Sequence, residues 1–293
     1  MEQPALAEQL DPYRNRFPGL HLEMVLASIV AGNTGGHLWE IPQPDALPLL
    51  LLWDKGNNVF YLAGDCRAQS ALSSLAEVVA LELRPQALAE GAPTFKVRTL
   101  TPSEEDGLSQ IFPGIALRAS PTLFSVFDAS RLGSQSGERP PGTPQGSAWV
   151  SVTLPALPEA VFIPITPAVL TSGTFAYSDN VRSEIRSMWP SEERFYQYGF
   201  GTVAVLHGEI ICWCTAEYVS PTQCGIGIET APRFEGRGVA TATATYFVQQ
   251  ARERGVTPYW ECSLNNQGSV RVAEKVGFVR LAEETYWIGS FAP

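Results

Sequence analysis

Residues 224–245, CGIGIETAPRFEGRGVATATAT, constrain the fold of this chain more than any other part of its sequence. Side chains over residues 224–230 alternate with a period of two, which predicts a β-strand that ends at Pro232. From Val239, small and apolar residues recur at the spacing of one buried helical face, which predicts a helix that stops at Gly255. A strand, a short turn and a helix therefore follow one another directly.

The turn, residues 233–238 with the sequence RFEGRG, is typical of an anion-binding loop. Its two glycines allow a tight turn whose backbone N–H groups point outward. The N-terminus of a helix has unpaired N–H donors and about half a positive charge, so a pyrophosphate can bind there without dedicated lysines. Thr241, in the first helical turn, can add a hydroxyl donor. The alternative is a tight turn that serves packing alone.

This turn resembles the Arg/Gln-x-x-Gly-x-Gly/Ala signature of the GCN5-related N-acetyltransferases (GNAT), in which the loop holds the pyrophosphate of coenzyme A. The signature positions here are Arg233, Gly236 and Gly238. Residues 266–278 resemble the second hallmark of that family, an Asn-led helix that ends in Gly-Phe, and residues 259–263 predict a parallel strand before it. Two hallmarks at the family's spacing make the resemblance specific.

The resemblance covers about residues 160–291 and looks closest to a bacterial group with a Trp-x-x-x-x-x-Phe segment, here Trp189 to Phe195, and an Ile-Gly-Ile-Glu-Thr strand. A dinucleotide-binding fold also has glycines at the start of a helix. In this chain, however, residues 232–235 separate the strand from the glycines, and Thr241 replaces the third glycine. The acetyltransferase resemblance therefore explains this segment better.

The implied fold class is α/β (α+β), with the GNAT fold of a mixed central sheet flanked by helices. Residues 148–293 are the expected acetyltransferase domain, and the Gly-, Pro- and Ser-rich residues 133–147 are the expected linker. Residues 1–132 predict a second α/β domain whose order of elements weakly echoes the GNAT fold. Since residues 64–69 offer one glycine and an aspartate, this domain is either a degenerate GNAT-like half or an unrelated domain that covers the substrate.

The resemblance implies acetyl-CoA as co-substrate, without a metal. In the family, the backbone of the central strand pairs with the pantetheine arm, which implicates Ile228 and Thr230 here. The loop, the first helical turn and the second-hallmark helix supply the other cofactor-binding candidates, which are Gly236, Arg237, Gly238, Val239, Ala240, Thr241, Asn266 and Ser269. Asn266 could equally be only the N-cap of its helix.

The implied reaction is direct attack by an amine on the thioester, for which a base has to accept a proton. Glu229 and Glu217 are the preferred catalytic candidates, ahead of Glu261 on the next strand. Glu229 shares a strand face with Gly225 and Gly227, whose missing side chains leave room for a substrate. The alternative for each is an ordinary exposed carboxylate.

Many relatives place a tyrosine acid four residues before the glycine of the second hallmark, where this chain has Ala273. Tyr218, Tyr286 and water stay open as proton donors. The predicted function is N-acetylation of a small-molecule amine, such as a metabolite or an antibiotic. The missing tyrosine and the degenerate first half also allow a catalytically silent acyl-CoA-binding sensor or scaffold.

A net charge of −10 argues against nucleic acid or anionic membranes as partners, because surfaces that bind them are usually basic. The five cysteines have irregular spacing, which indicates neither a disulfide framework nor a metal site and favours a reducing cytoplasm. The N-terminus lacks a signal-peptide pattern, and no apolar stretch approaches the ~20 residues of a membrane span. We therefore expect a cytoplasmic monomer or homodimer that binds a small amine.

Overall fold

The computed structural model describes residues 3–43, 46–131 and 154–292. The chain divides into two compact units, of which unit 1 comprises Met1–Thr122 and Glu284–Pro293 and unit 2 comprises Leu123–Glu283. The predicted linker, residues 133–147, lies outside the described residues. The position of the domain boundary therefore stays a prediction, although the last ten residues belong to unit 1.

Unit 1 begins with helices, continues with a three-stranded meander and ends with a helix–strand–helix segment. Its elements are α1 (Gln3–Leu10), α2 (Leu20–Val30), β1 (Gly36–Gln43), β2 (Ala46–Asp54), β3 (Val59–Ala63), α3 (Gln69–Val78), α4 (Arg84–Ala89), β4 (Thr94–Thr99), α5 (Pro102–Glu105), α6 (Leu108–Ile111) and the first part of β5 (Arg118–Phe127). A π-helical turn, Val79–Leu83, joins α3 to α4.

Unit 2 contains the remainder of β5 and the elements that follow it, down to the first part of the last strand. They are β6 (Val161–Pro164), α7 (Pro167–Thr171), α8 (Ser178–Met188), α9 (Glu192–Tyr198), β7 (Gly201–Leu206), β8 (Glu209–Glu217), β9 (Gln223–Thr230), α10 (Val239–Glu253), β10 (Thr257–Ser263), α11 (Gln267–Val276) and β11 (Phe278–Ser290). The boundary between the units runs through β5 and β11.

The strands of each unit include both parallel and antiparallel neighbours, an arrangement that the sequence predicts for the acetyltransferase domain. The strand order in unit 1 is β1-β2-β3-β4-β11, in which β3 and β4 are parallel and the other neighbours are antiparallel. The strand order in unit 2 is β5-β10-β9-β8-β7-β6, in which β9 and β10 are parallel and β6 to β9 form an antiparallel meander. The prediction that β10 runs parallel to β9 is thus confirmed.

The core of unit 2 lies where α10 packs on one face of the sheet. The buried helix residues Ala244, Phe247 and Ala251 contact Cys214 and Ile226 in one apolar cluster. This is the apolar face that the spacing along the helix predicts. Because α10 is docked along most of its length, its N-terminus is held close to the end of β9. None of the helices in the described ranges is both long and apolar enough to cross a membrane.

Candidate active site

A gap opens between the two parallel strands of unit 2. β9 and β10 are paired only at their first residues, and the register ends where Gly225 faces Tyr259. On its other edge β9 stays paired with β8 as far as Thr230. The second half of β9 therefore presents one backbone edge to the gap, where an extended chain with amide groups can hydrogen-bond as a further strand does.

The glycine loop closes one end of this gap. Gly236 and Gly238 have φ angles of +71° and +82°, a conformation that side chains disfavour, and Gly238 is the N-cap of α10 without a side-chain cap. Among the described residues, none accepts a hydrogen bond from the backbone N–H groups of Val239, Ala240 or Thr241. The helix N-terminus thus offers three donors and its partial positive charge to a ligand.

A cleft of about 500 Å³ joins the gap to the loop. It brings together every predicted cofactor-binding residue except Arg237, namely Ile228, Thr230, Gly236, Gly238, Val239, Ala240, Thr241, Asn266 and Ser269. The guanidinium of Arg237 lies instead over the ring of Phe234, at 5.8 Å from its centre. Arg233, at the first position of the signature, pairs with Glu209 outside the cleft. The roles of these residues in binding stay predictions.

Sequence reasoning missed several residues that line the same cleft, including Trp260, Arg271 and Lys275. The two basic residues are one helical turn apart on α11 and bring positive charge to the cleft of an acidic protein. Helical spacing from Asn266 could have indicated them, because residues 268, 271, 272 and 275 share one face of that helix.

Asn266 has the capping role that the sequence left open. Its side-chain oxygen accepts a hydrogen bond from Ser269 N at 3.1 Å, and Ser269 Oγ accepts one from Trp260 Nε1 at 3.0 Å. The start of α11 is therefore tied to β10 on the wall of the cleft. Contact of Asn266 with a cofactor stays a prediction beside this observed role.

The two preferred carboxylates lie on the sheet face opposite α10. Glu229 is exposed and lines the cleft, and the residue opposite it on β8 is Trp213. Glu217 lies opposite Gly225 on the same face. Glu261, the third candidate, is not among the residues that line the cleft. The structure thus places Glu229 nearest to the predicted cofactor site, with Glu217 farther back along the face.

A third carboxylate, Glu184 on α8, joins this face and was missed in the sequence. A Cβ atom on Gly227 would overlap with Glu217 Oε1 and would lie 3.3 Å from Glu184 Oε1. Burial raises the pKa of the Glu184 carboxyl, and the negative charge of Glu229 raises it further. No sequence signal identifies Glu184, because it resembles an ordinary polar residue of an amphipathic helix far upstream in the chain.

The two tyrosines considered as proton donors lie in different units. Tyr218 is buried in unit 2, where its ring is 3.1 Å from the position of a Cβ atom on Gly225. Tyr286 belongs to unit 1 and lies beside Lys96. Ala273, at the position of the usual tyrosine, is buried in the core. Of these two tyrosines, Tyr218 is therefore the one in the unit that carries the carboxylates.

The cysteines are poorly suited to act as acyl-accepting nucleophiles, which require a thiolate. Cys212, Cys214 and Cys224 are buried, and burial raises the pKa of Cys212 to about 11. Burial also raises the pKa of the half-buried Cys262 and raises that of Cys66 to about 12. A thiol with a raised pKa is protonated near neutral pH, which favours direct attack by the acceptor.

Comparison with known proteins gives sequence matches that cover part of the chain. The family described as GNAT acetyltransferase is matched by residues 172–286. The chain is also 33% identical over 100 residues to YdfB of Bacillus subtilis, an uncharacterized N-acetyltransferase. That match covers 34% of this chain and 38% of YdfB, so the chain matches well under half of its curated relative.

Similar solved structures extend over almost the whole chain. A GCN5-related N-acetyltransferase-like protein from Streptococcus suis has a TM-score of 0.63 at 15% identity, with 97% of this chain and 99% of that chain covered. A tandem GNAT protein from the clavulanic acid biosynthesis pathway has a TM-score of 0.54 at 12% identity, with coverages of 99% and 95%. At such identities the similarity shows the fold alone. It confirms the mixed α/β fold of the GNAT type and fits the prediction of a second α/β domain.

Proposed function

Because residues 172–286 belong to the GCN5-related N-acetyltransferase superfamily, we propose that this chain transfers an acetyl group from acetyl-CoA to the amine of a small molecule. One observation carries the proposal: the open edge of β9, the glycine loop and the uncapped N-terminus of α10 meet in a single cleft. Acetyl-CoA has an amide-containing arm and a pyrophosphate, which need an open strand edge and an anion cradle, respectively.

The chain's own groups match the parts of this co-substrate. The backbone of Ile228 and Thr230 faces the gap and would pair with the amides of the arm. The N–H groups at the start of α10 would bind the pyrophosphate, and Arg271 and Lys275 would add positive charge for further phosphate oxygens. When bound, acetyl-CoA supplies an electrophilic thioester carbonyl and a thiolate leaving group.

Glu229 is the proposed base, because it combines exposure with a position on the cleft wall. The space that the sequence predicts over Gly225 and Gly227 is occupied by the side chains of Tyr218 and Glu217. The Glu229 carboxylate would accept a proton from the attacking amine. Glu217 is the alternative base, farther from the glycine loop. Tyr218 lies in the same unit and, with water, is a candidate donor to the departing sulfur.

Two measurements on the full chain test the proposal. The first is release of free thiol from acetyl-CoA across a panel of small amines, and the second is a thermal-shift titration with acetyl-CoA alone. Turnover with at least one amine, together with stabilisation by acetyl-CoA, is the expected result. Stabilisation without turnover on any amine would instead support a silent acyl-CoA-binding sensor. Absence of both would contradict the assignment of the cleft.

A further inference from the structure

The sheet face that carries Glu229 continues into a second acidic region farther from the glycine loop. Residues opposite one another on β8 and β9 share a face, so Thr215 lies beside Gly227 and Glu217 beside Gly225. Glu184 approaches the same region from α8. Because Gly227 has no side chain, the Glu217 carboxylate reaches into the space that a side chain at that position would fill.

Three oxygen atoms converge over Gly227. A Cβ atom at that position would overlap with Glu217 Oε1, and it would lie 3.1 Å from Thr215 Oγ1 and 3.3 Å from Glu184 Oε1. Two carboxylate oxygens and one hydroxyl oxygen thus lie within 3.3 Å of a single point beside the backbone of Gly227. Such a group of acceptors suits a compact cation with several N–H donors, of which an ammonium group is the simplest example.

Thr215 gives an independent indication that a ligand binds here. The residue is only 2% exposed, yet its hydroxyl oxygen has no hydrogen-bond partner among the residues that the structure describes. A buried hydroxyl without a partner destabilises a protein by roughly 1–3 kcal/mol, so such groups usually have a function or a ligand. A bound ammonium group would supply the missing partner.

The charge of Glu184 is also poorly compensated. Within the described part of the chain, no lysine or arginine forms an ion pair with it. Burial and the nearby charge of Glu229 raise its pKa, which means that the ionised carboxylate is disfavoured in the free protein. A cation bound between Glu184 and Glu217 would relieve this electrostatic penalty.

We propose that Glu184, Glu217 and Thr215 form a subsite for a second cationic group of the acceptor, so that the preferred acceptor is an α,ω-diamine. This inference rests on the proposed acetyl transfer. One amine would react beside Glu229, while the other would stay as an ammonium group over Gly227. Residues two apart on a strand are separated by about 7 Å, which corresponds to a spacer of about four or five carbon atoms.

The transfer balances for one amine of the pair. A bond forms between the amine nitrogen and the acetyl carbon, and the bond between that carbon and sulfur breaks. The reacting ammonium group loses two protons, one of which passes through Glu229 to solvent while the other ends on the thiol of coenzyme A. The second ammonium group keeps its protons, and its charge holds the acceptor in place.

The test compares diamines and monoamines of equal chain length. We expect kcat/KM for thiol release to be at least tenfold higher for 1,4-diaminobutane and 1,5-diaminopentane than for butylamine and pentylamine. Glu184→Gln and Thr215→Val should each lower this ratio toward one. Glu253→Gln is the matched control, because Glu253 is exposed on α10 away from the acidic face, and it should leave the ratio unchanged.

A binding measurement separates failure of the subsite from failure of the transferase proposal. Calorimetric titration of 1,4-diaminobutane and of butylamine into the full chain saturated with coenzyme A needs no turnover. At least tenfold tighter binding of the diamine, reduced by Glu184→Gln, would support the subsite even if no amine were acetylated. Equal binding of the two amines, or an unchanged preference in both variants, would overturn it while leaving monoamine acetylation intact.

Discussion

Units 1 and 2 each contain two parallel strands connected through a helix, but the pair is closed in unit 1 and open in unit 2. β3 and β4 stay in register from the pair Val59–Lys96 to the pair Leu62–Thr99, close to the ends of both strands. β9 and β10 lose their register after three residue pairs. A ligand can therefore add itself to the strand edge in unit 2, whereas in unit 1 the neighbouring strand already occupies that edge.

The turns that follow β3 and β9 also differ in whether their backbone N–H groups are already hydrogen-bonded within the protein. In unit 1, Glu104 accepts hydrogen bonds from the backbone N–H groups of Gly64 and Thr101, at 2.8 and 2.9 Å. Asp65 accepts one from Arg67 N at 2.9 Å. Two N–H groups of this turn, those of Gly64 and Arg67, are thus bound by carboxylates of the chain, whereas the N–H groups at the start of α10 are left for a ligand. An anion site needs backbone donors that the protein itself does not use.

The largest expected effect concerns Glu229, which lies one residue before the end of β9. The corresponding position in β3 of unit 1 is Leu62, which is buried and cannot act as a base. Glu229→Gln should lower kcat for acetyl transfer about 10²–10⁴-fold, because the amine would lose its base. It should also remove the fall in activity toward low pH and leave acetyl-CoA affinity nearly unchanged. Steady-state kinetics across pH, beside calorimetric titration, would measure both effects.

A Glu229→Gln variant with the kcat and pH profile of the unmodified chain would show that Glu229 is not the base. Glu217→Gln, measured in parallel, would then distinguish the second carboxylate from a path through water. In both variants an unchanged acetyl-CoA affinity is the control for an intact cleft.

The next effect concerns the loop that unit 1 lacks. Gly238→Asp should weaken acetyl-CoA binding by about 100-fold or more, since it places a side chain and a negative charge beside the pyrophosphate donors. Calorimetry should find one acetyl-CoA per unmodified chain and none detectable in the variant. Gly255→Asp is the matched control, because Gly255 has the same positive φ in open space at the opposite end of α10. Two acetyl-CoA sites per unmodified chain would contradict the inference that only unit 2 binds acetyl-CoA.

A substitution of Glu104 tests whether the hydrogen bonds of this carboxylate stabilise unit 1 and prevent it from binding acetyl-CoA. Glu104→Ala should lower the free energy of unfolding by roughly 1–3 kcal/mol, because it removes a buried acceptor and leaves part-buried backbone donors without a partner. The exposed neighbour Glu105 provides the control variant, Glu105→Ala, which should change stability little. We expect no second acetyl-CoA site in Glu104→Ala, since β3 and β4 remain paired. A second site would show that this carboxylate alone blocks unit 1.

The smallest expected effect is a gain in stability from Glu184→Gln. The folded-state pKa of Glu184 is raised, so its ionised form destabilises the fold once the pH exceeds that pKa. Near pH 8 the variant should therefore melt higher than the unmodified chain, by up to a few degrees. Near pH 5 the difference should shrink, because the carboxyl becomes protonated beside Glu217 and Glu229. A lower melting temperature near pH 8 would contradict the assigned cause of the raised pKa.

The sequence was most informative where structure is set by neighbours along the chain. The strand, the glycine loop and the helix from β9 to α10 are contiguous, so alternation, turn residues and helical spacing predicted them together. Most of the cofactor candidates consequently lie on one cleft, although their contacts with a cofactor stay predictions.

The sequence was least informative where residues from distant segments meet. Glu184 comes close to Gly227 only because α8 packs beside β8, and neither periodicity nor spacing encodes that approach. The strand β1, Gly36–Gln43, was missed, since residues 32–36 have the composition of a loop and Pro42 interrupts the alternation. The pairing of the last residues with β4 was also not predicted, because all of unit 2 separates the two segments in the sequence.

That last pairing affects how the protein folds during its synthesis. In β11, Trp287 to Ser290 pair with β4, and Phe291 stacks on Phe95 at 4.2 Å between ring centres. A ribosome translates β4 early but reaches these residues only after all of unit 2, a delay on the order of 10 s at roughly 5–20 residues per second. During that interval the nascent unit 1 carries an unpaired, apolar strand edge that can associate with other chains. The N-terminal half is thus the last part of the molecule that can complete its fold, and chaperone dependence should follow the time taken to translate residues 123–283.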